Sequence, residues 1–355
     1  MLTIKEEVCS FDNLYQSMKK CKNNIMWKDS TQGYYKNGLV NIHELRKSLL
    51  NGSYKIDKYT SFKVYEPKER DILATRFKDR VFQRSLCDNY VYKEITKSFI
   101  YDNCACQIGK GTEFARKRMY AHMQKFYRKH GINGYVLKLD LKNYFGSTLH
   151  SVAKSAVKKR IKDEWACNEV FRVIDSYEGD RGMGLGSQLT QLIQLAVLDD
   201  LDHYIKEQLH VKHYIRYMDD MILIHHDKDF LKYCLSIIEK KLTEINLSLN
   251  KKKTQIYPLK QGVNFLGFKF KMTETGKVKM TVFKKNIFNE KRKLRKLVGR
   301  YKKGYMSKKQ LDDCFQSYIA HISNGSDKGK HNKAKRNCTG LIIRMKKYYW
   351  KLLDS

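Results

Sequence analysis

Apolar and polar positions alternate most sharply in two parts of the chain. In Gly134-Tyr135-Val136-Leu137-Lys138-Leu139-Asp140-Leu141-Lys142-Asn143-Tyr144-Phe145 the period is close to two, which predicts a strand ending at Asp140. The second part is an apolar run, Tyr214-Ile215-Arg216 followed after a break by Met221-Ile222-Leu223-Ile224. The break is Tyr217-Met218-Asp219-Asp220, so the pattern predicts a hairpin with two acids at its tip. Leu189, Leu192, Ile193, Ala196, Val197 and Leu201 follow a three-four spacing and predict a helix opened by the glycine-bearing segment 182–191. Further helices are expected at about 79–99 and 112–130, the second stopped by Gly131. Asn41-Ile42-His43-Glu44 reads as a capping box, with Gly52 closing a short helix and paired strands following over 54–64. Thr273-Glu274-Thr275-Gly276 suggests a hairpin, and the chain turns helical and basic from about Lys284. The fold class expected is α+β, an antiparallel sheet backed by helices.

Acids at the tip of an apolar hairpin need a compensating charge, because burying carboxylates costs several kcal/mol otherwise. Divalent cations supply it, and two Mg²⁺ roughly 3.5–4 Å apart on Asp side chains serve in-line phosphoryl transfer. Such a site needs a further carboxylate from another strand, and Asp140 is the candidate. Asp199-Asp200 and Asp312-Asp313 are also adjacent acids, but their polar, helix-like surroundings read as solvated faces. Gly109-Lys110-Gly111-Thr112 is not a P-loop, since a glycine follows the Gly-Lys pair where a hydroxyl must reach the metal.

Composition narrows the partner. The 355 residues carry 71 Lys+Arg against 37 Asp+Glu, a formal charge of +34. Residues 251–355 hold 29 basic and 6 acidic side chains, so the C-terminal part is an electrostatic clamp for a polyanion. Abundant Tyr and Phe with only 2 prolines indicate a folded nucleic-acid binder rather than a disordered tail. Charges within the first 25 residues break any signal-peptide core, and no apolar run reaches the roughly 18 residues needed to span a bilayer. The expectation is a cytoplasmic protein with no membrane partner. Nine cysteines without paired metal spacing read as reduced core thiols, Cys104-x-Cys106 included.

With these segments in place, the chain resembles the bacterial reverse transcriptases over most of its length. Tyr65-Glu66-Pro67-Lys68-Glu69-Arg70-Asp71-Ile72-Leu73 and Asp79-Arg80-Val81-Phe82-Gln83 look like the family's fingers motifs. The resemblance implies a right-hand fold with fingers over 1–130, palm over 131–283 and a basic helical thumb over 284–355. It implies that Asp140, the Leu141 carbonyl, Asp219 and Asp220 hold two Mg²⁺, with Mn²⁺ as the alternative. Lys68 and Arg70 would meet the incoming triphosphate, and Tyr144 and Phe145 would lie by its sugar, Phe145 excluding a ribose 2′-hydroxyl. Tyr217 and Met218 would complete the substrate site. In Leu249-Asn250-Lys251-Lys252-Lys253-Thr254, Lys253 would protonate the departing pyrophosphate or bind phosphate. Gly262-Val263-Asn264-Phe265-Leu266-Gly267-Phe268 looks like the primer grip, represented by Phe265, Leu266 and Gly267. The loop 101–112 would touch template or primer. Ser317-Tyr318-Ile319-Ala320-His321 resembles a recurring thumb sequence, with helix packing its expected role.

One departure bears on the subfamily. Where most reverse transcriptases have Gln-Gly-x-x-x-Ser-Pro, this chain reads Leu185-Gly186-x-x-x-Thr190-Gln191. That resembles the reverse transcriptases of diversity-generating retroelements, which copy with errors at template adenines, although Thr190 stands where that pattern has Ser. The resemblance implies dNTPs, an RNA template and a nucleic-acid primer, a dedicated noncoding RNA and a small helical accessory protein. Two other readings stay open: a defence-associated enzyme copying a companion noncoding RNA, and a catalytically idle RNA-binding scaffold. Mobility functions are expected on other chains, because no further domain follows the thumb.

Overall fold

The computed structural model describes residues 2–65, 69–323 and 338–354. Short helices lead, α1 (Ile4–Val8), α2 (Phe11–Cys21), α3 (Asp29–Lys36) and α4 (Gly38–Leu50), before an antiparallel pair β1 (Thr60–Val64) and β2 (Arg70–Ala74). Helices α5 (Phe77–Leu86) and α6 (Tyr92–Thr96) are joined through a π turn, and α7 (Thr112–His130) ends at Gly131, φ 61°. The central sheet comes next. Strand β3 (Tyr135–Asp140) is followed by α8 (Tyr144–Ser147), α9 (His150–Lys158), α10 (Glu164–Asp175), α11 (Gln188–Val197) and α12 (Asp199–His203). Then come the hairpin β4 (His213–Tyr217) and β5 (Asp220–His225), α13 (Lys228–Glu244) and β6 (Gln255–Pro258). A second sheet, β7 (Val263–Phe265), β8 (Phe268–Met272) and β9 (Val278–Val282), leads into α14 (Lys284–Lys302), α15 (Lys308–Ile322) and α16 (Thr339–Asp354).

The central sheet has the order β4-β5-β3-β6, all pairs antiparallel. Its two faces feed two different cores. Leu137, Leu139, Met221 and Leu223 pack on one face with the N-terminal helices and with α9 to α13. Val136, Ile222 and Ile224 point the other way, into a core shared with α7, the β7-β8-β9 sheet and α14 to α16. The cores therefore follow the faces of the sheet rather than chain order, and α7 packs with the C-terminal half.

Four local expectations are corrected. The helix at 38–50 starts before Asn41, whose amide donates to Tyr34 O (2.8 Å) instead of capping. Strand pairing begins at Thr60, while Tyr54 is buried and its hydroxyl donates to Asp79 (2.7 Å). Asp199 is not a solvated acid: it is 1% exposed and takes 2.7 Å and 3.1 Å bonds from Arg160. Cys106 is exposed and so not a core thiol; every cysteine is free. Among the described residues no helix is long and apolar enough to cross a membrane.

Candidate active site

The register of the central sheet places Asp140 directly opposite Asp220. Tyr217 pairs with Asp220, so Met218 and Asp219 form a two-residue turn, and Met218 takes the left-handed backbone that such turns require (φ 54°). Asp140, Asp219 and Asp220 thus gather at one end of the sheet. Asp140 and Asp220 project from the face opposite the helix-packed core, because Leu139 and Met221 occupy that side.

The three acids share one electrostatic field. Burial pushes the Asp220 carboxyl up to about 6, against the pull of Lys138 and with a further push from Asp219 and Asp140. Asp219 is raised by burial first and by the like charge of Asp140, while Lys253 and Arg70 act in the opposite direction. Two lysines compensate the cluster. Lys253 Nζ stands 2.7 Å from Asp140 Oδ1, and Lys138 Nζ lies 3.2 Å from Asp220 Oδ1. Asp220 Oδ1 is nonetheless buried without a hydrogen bond. A set of hard carboxylate oxygens, one of them met only by the Lys138 ammonium at 3.2 Å, fits Mg²⁺ or Mn²⁺ and suits soft metals poorly. Among the described residues no three Asp, Glu, His or Cys side chains already close around one point.

A buried ion pair fixes the hairpin behind the acids. Arg216 and Asp202 are both 0% exposed, and Arg216 Nη2 also donates to Leu195 O (3.1 Å) on α11. Its Nη1 donates to Met218 O (3.2 Å) in the acidic turn, and Tyr214 donates to Asp202 (2.6 Å). One guanidinium therefore ties the turn, α11 and α12 together. On the edge of β4, Cys104 N donates to Arg216 O (2.9 Å), which brings the loop 101–112 alongside. Cys106 Sγ then lies 3.2 Å from Gln191 Oε1 and 3.9 Å from Met218 Sδ.

The segment before α11 runs close beneath β2. A Cβ on Gly184 would stand 2.8 Å from Tyr177 and 3.1 Å from Leu73, so only glycine fits there. Leu185 and Gly186 (φ 109°) follow as loop residues, and Thr190 is buried, its hydroxyl donating to Gly184 O (3.1 Å). Thr190 thereby holds the loop to the first turn of the helix.

A family comparison bears on this geometry. The profile described as reverse transcriptase (RNA-dependent DNA polymerase) matches residues 68–270, more than half of the chain and all of the acids above. The chain belongs to this family. Among solved structures it is similar to telomerase from Candida albicans in complex with the TWJ fragment of telomeric RNA, at 13% identity and TM-score 0.53, covering 84% of this chain and 55% of that one. Apo telomerase from Candida tropicalis, truncated from its C-terminal domain, matches at 14% identity and TM-score 0.46 over 60% of this chain and 53% of that chain. The chain thus spans about half the length of these structures, and at 13% identity the likeness to the Candida albicans telomerase concerns the right-hand polymerase fold alone. No curated protein sequence matches significantly.

The other expected site residues of this reverse transcriptase fall out unevenly. Arg70 is exposed on β2 and close enough to lower the Asp219 carboxyl. Lys68 lies outside the described residues. Phe145 is half-buried beside Tyr144, ring centroids 5.9 Å apart. Tyr144 itself is corrected from substrate contact to support: it is 3% exposed and its hydroxyl donates to Gln194 O (2.5 Å) in the core. Leu141 is buried and bridges to Leu249, which brings the Lys253 segment to the sheet, where Asn250 N donates to Asp140 O (2.7 Å). Phe265 is a core side chain, so a grip on the primer would fall to the turn Leu266-Gly267, where both residues have positive φ (45° and 85°).

Lys138 was missed by the sequence reading. Its ammonium contacts Asp220 and donates to Asn264 O (2.7 Å) on β7, so it bridges the acids to the grip strand. The signal was a cation two residues before Asp140, hence on the same face of the strand.

Proposed function

We propose that this chain copies an RNA template into DNA from dNTPs, extending a nucleic-acid primer. The observation that carries the reading is the meeting of Asp140 and Asp220 across β3 and β5 with Asp219 on the adjoining turn. Two divalent ions on these carboxylates and the Leu141 carbonyl would supply Lewis-acid stabilisation of the transferred phosphoryl group. Arg70 meets the triphosphate, and Phe145 excludes a ribose 2′-hydroxyl by bulk. Lys253, once released from Asp140, would donate a proton to the leaving pyrophosphate or bind its phosphate. Tyr217 and Met218 complete the substrate site, and Arg216 donates to Met218 O (3.2 Å) behind them.

The Leu185-Gly186 and Thr190-Gln191 pattern supports an error-prone, diversity-generating enzyme working with a dedicated RNA and a small helical accessory protein. An aliphatic Leu185 offers no polar contact to a nascent base pair, and losing such a contact relaxes discrimination by about 1–3 kcal/mol. The test is to purify the chain with its bound RNA, supply dNTPs and Mg²⁺, and sequence the products. Substitutions concentrated opposite template adenines, and reduced in Leu185→Gln, support this reading. Faithful or repetitive copies of one companion RNA would place the enzyme in phage defence instead, and no product at all would leave an RNA-binding scaffold.

A further inference from the structure

The sheet β7-β8-β9 buries one face and leaves the other to solvent. Phe268, Phe270, Val278 and Met280 pack inward, so strand alternation turns Lys269, Lys271, Lys279 and Thr281 outward. Lys271 stands directly opposite Lys279 across the β8-β9 ladder. Like charges so placed destabilise a hairpin, and nothing offsets them here. None of Lys260, Lys269, Lys271, Lys277 and Lys279 forms an ion pair among the described residues, and Glu274 is the sole acid between Leu259 and Phe283.

An open groove of about 650 Å³ lies along this face, lined by Lys260, Lys271 and Lys279 together with Glu274 and Thr275. Its shape is fixed from behind. Gly276 (φ 76°) lies in the β8-β9 turn, where a Cβ would run into the Tyr127 ring, and the Tyr127 hydroxyl donates to Glu274 O. One aromatic side chain of α7 thus clamps the turn, so the lysines are held together before any ligand arrives.

The groove is remote from the acids. Tyr135, at the start of β3, pairs with Pro258, and Leu259 N donates to Gly134 O (2.8 Å), which sets Lys260 at the end of the sheet opposite Asp140. At about 3.3 Å per residue, the strand from Tyr135 to Asp140 puts roughly 17 Å between the two ends. Lys271 and Lys279 lie toward the turn at 273–276, whereas Leu266-Gly267 closes the other end of β8.

Ammonium groups without carboxylates suit phosphates. The face carries no exposed aromatic side chain, because Phe265, Phe268 and Phe270 all point into the core. Unpaired bases need such rings to stack on, so the fitting partner keeps its bases inside a helix and offers its backbone. Glu274 separates RNA from DNA. A carboxylate repels phosphate but accepts a hydrogen bond from a ribose 2′-hydroxyl, which an A-form RNA helix displays in its shallow minor groove and DNA lacks.

We propose that the outer face of β7-β8-β9 docks a double-helical RNA element separate from the strand being copied. Its phosphates lie on Lys260, Lys271 and Lys279, and a 2′-hydroxyl meets Glu274. The proposal rests on the reading of this chain as a polymerase working with a dedicated RNA, and it gives that RNA a grip outside the reaction centre. Its test therefore uses binding alone. A labelled, fully paired RNA hairpin is titrated into the full chain by fluorescence anisotropy, without dNTPs, while unlabelled primer–template is held at saturation.

The hairpin should still bind, about fivefold more tightly than a DNA hairpin of the same sequence, the scale of one net hydrogen bond. Lys271→Gln and Lys279→Gln should each reduce the salt slope by about one and leave primer–template affinity unchanged. Glu274→Ala should shrink the preference for RNA. Lys271→Glu turns the like-charged pair into an opposite one, so it should raise Tm while weakening hairpin binding about tenfold, a combination that misfolding cannot produce. Displacement of the hairpin by primer–template would assign this face to the copied duplex and overturn the proposal. So would hairpin binding indifferent to both lysine variants, or equal affinity for the RNA and DNA hairpins. A chain that binds neither hairpin nor primer–template would instead defeat the polymerase reading itself.

Discussion

Replacing Arg216 with methionine should destabilise the protein and loosen the acidic turn together. The guanidinium makes three contacts with Asp202 (2.8, 2.9 and 2.5 Å) and one each with Leu195 O and Met218 O, all in a site where both partners are 0% exposed. Methionine keeps much of the length and removes every donor. Removing one partner of a buried pair costs about 3–5 kcal/mol, and the Tyr214 hydroxyl that still donates to Asp202 offsets about 1 kcal/mol. A loss of about 3 kcal/mol is therefore expected. Burial already raises the Asp202 carboxyl, with Arg216 opposing it, so the variant raises it further. A carboxyl whose folded pKa exceeds its unfolded value is stabilising when protonated, so the deficit should shrink on acidification and grow as pH rises through the folded pKa. Urea unfolding followed by circular dichroism at two pH values measures both effects. Asp202→Asn combined with Arg216→Met should recover at least about 1 kcal/mol over the single change, since no buried charge is then orphaned. A deficit below about 1 kcal/mol, or one indifferent to pH and to the second replacement, would refute the reasoning.

Three further outcomes are expected. At limiting Mg²⁺, extension should fall as pH drops through about 6, where Asp220 takes up its proton, and added Mg²⁺ should move that midpoint downward; a pH profile that metal does not shift would count against Asp220 as a ligand. Phe145→Ala should raise ribonucleotide incorporation relative to deoxyribonucleotide by about 10- to 100-fold in single-nucleotide kinetics, whereas an unchanged ratio would remove Phe145 from the sugar site. Lys138→Met should lower kcat about tenfold with dNTP KM little changed, because the link from Asp220 to Asn264 O positions the primer side rather than the nucleotide; a KM effect with intact kcat would contradict that placement.

The sequence made the acids legible because each stands where an apolar pattern stops. Asp140 ends an alternating strand and Asp219-Asp220 interrupt a hydrophobic run, so burial and charge conflict in the sequence itself. The helices at 112–130 and 188–197 were equally plain, from spacing and from Gly131. What stayed hidden depends on partners distant in sequence. Asp199 looked solvated because its partner Arg160 lies 39 residues upstream, and Arg216 looked like part of an apolar run because Asp202 sits on a separate helix. Asn41 resembled a cap because local pattern cannot show that the helix has already begun at Gly38. Tyr144 follows the strand just as Phe145 does, and only the fold shows that its side chain is buried.

Primer extension on a defined RNA template with dNTPs and Mg²⁺, comparing the wild-type chain with Asp219→Ala, tests the central claim most directly. The wild type should synthesise DNA, and the variant should lose that synthesis by several orders of magnitude while primer–template binding persists. Undiminished extension by Asp219→Ala would contradict it.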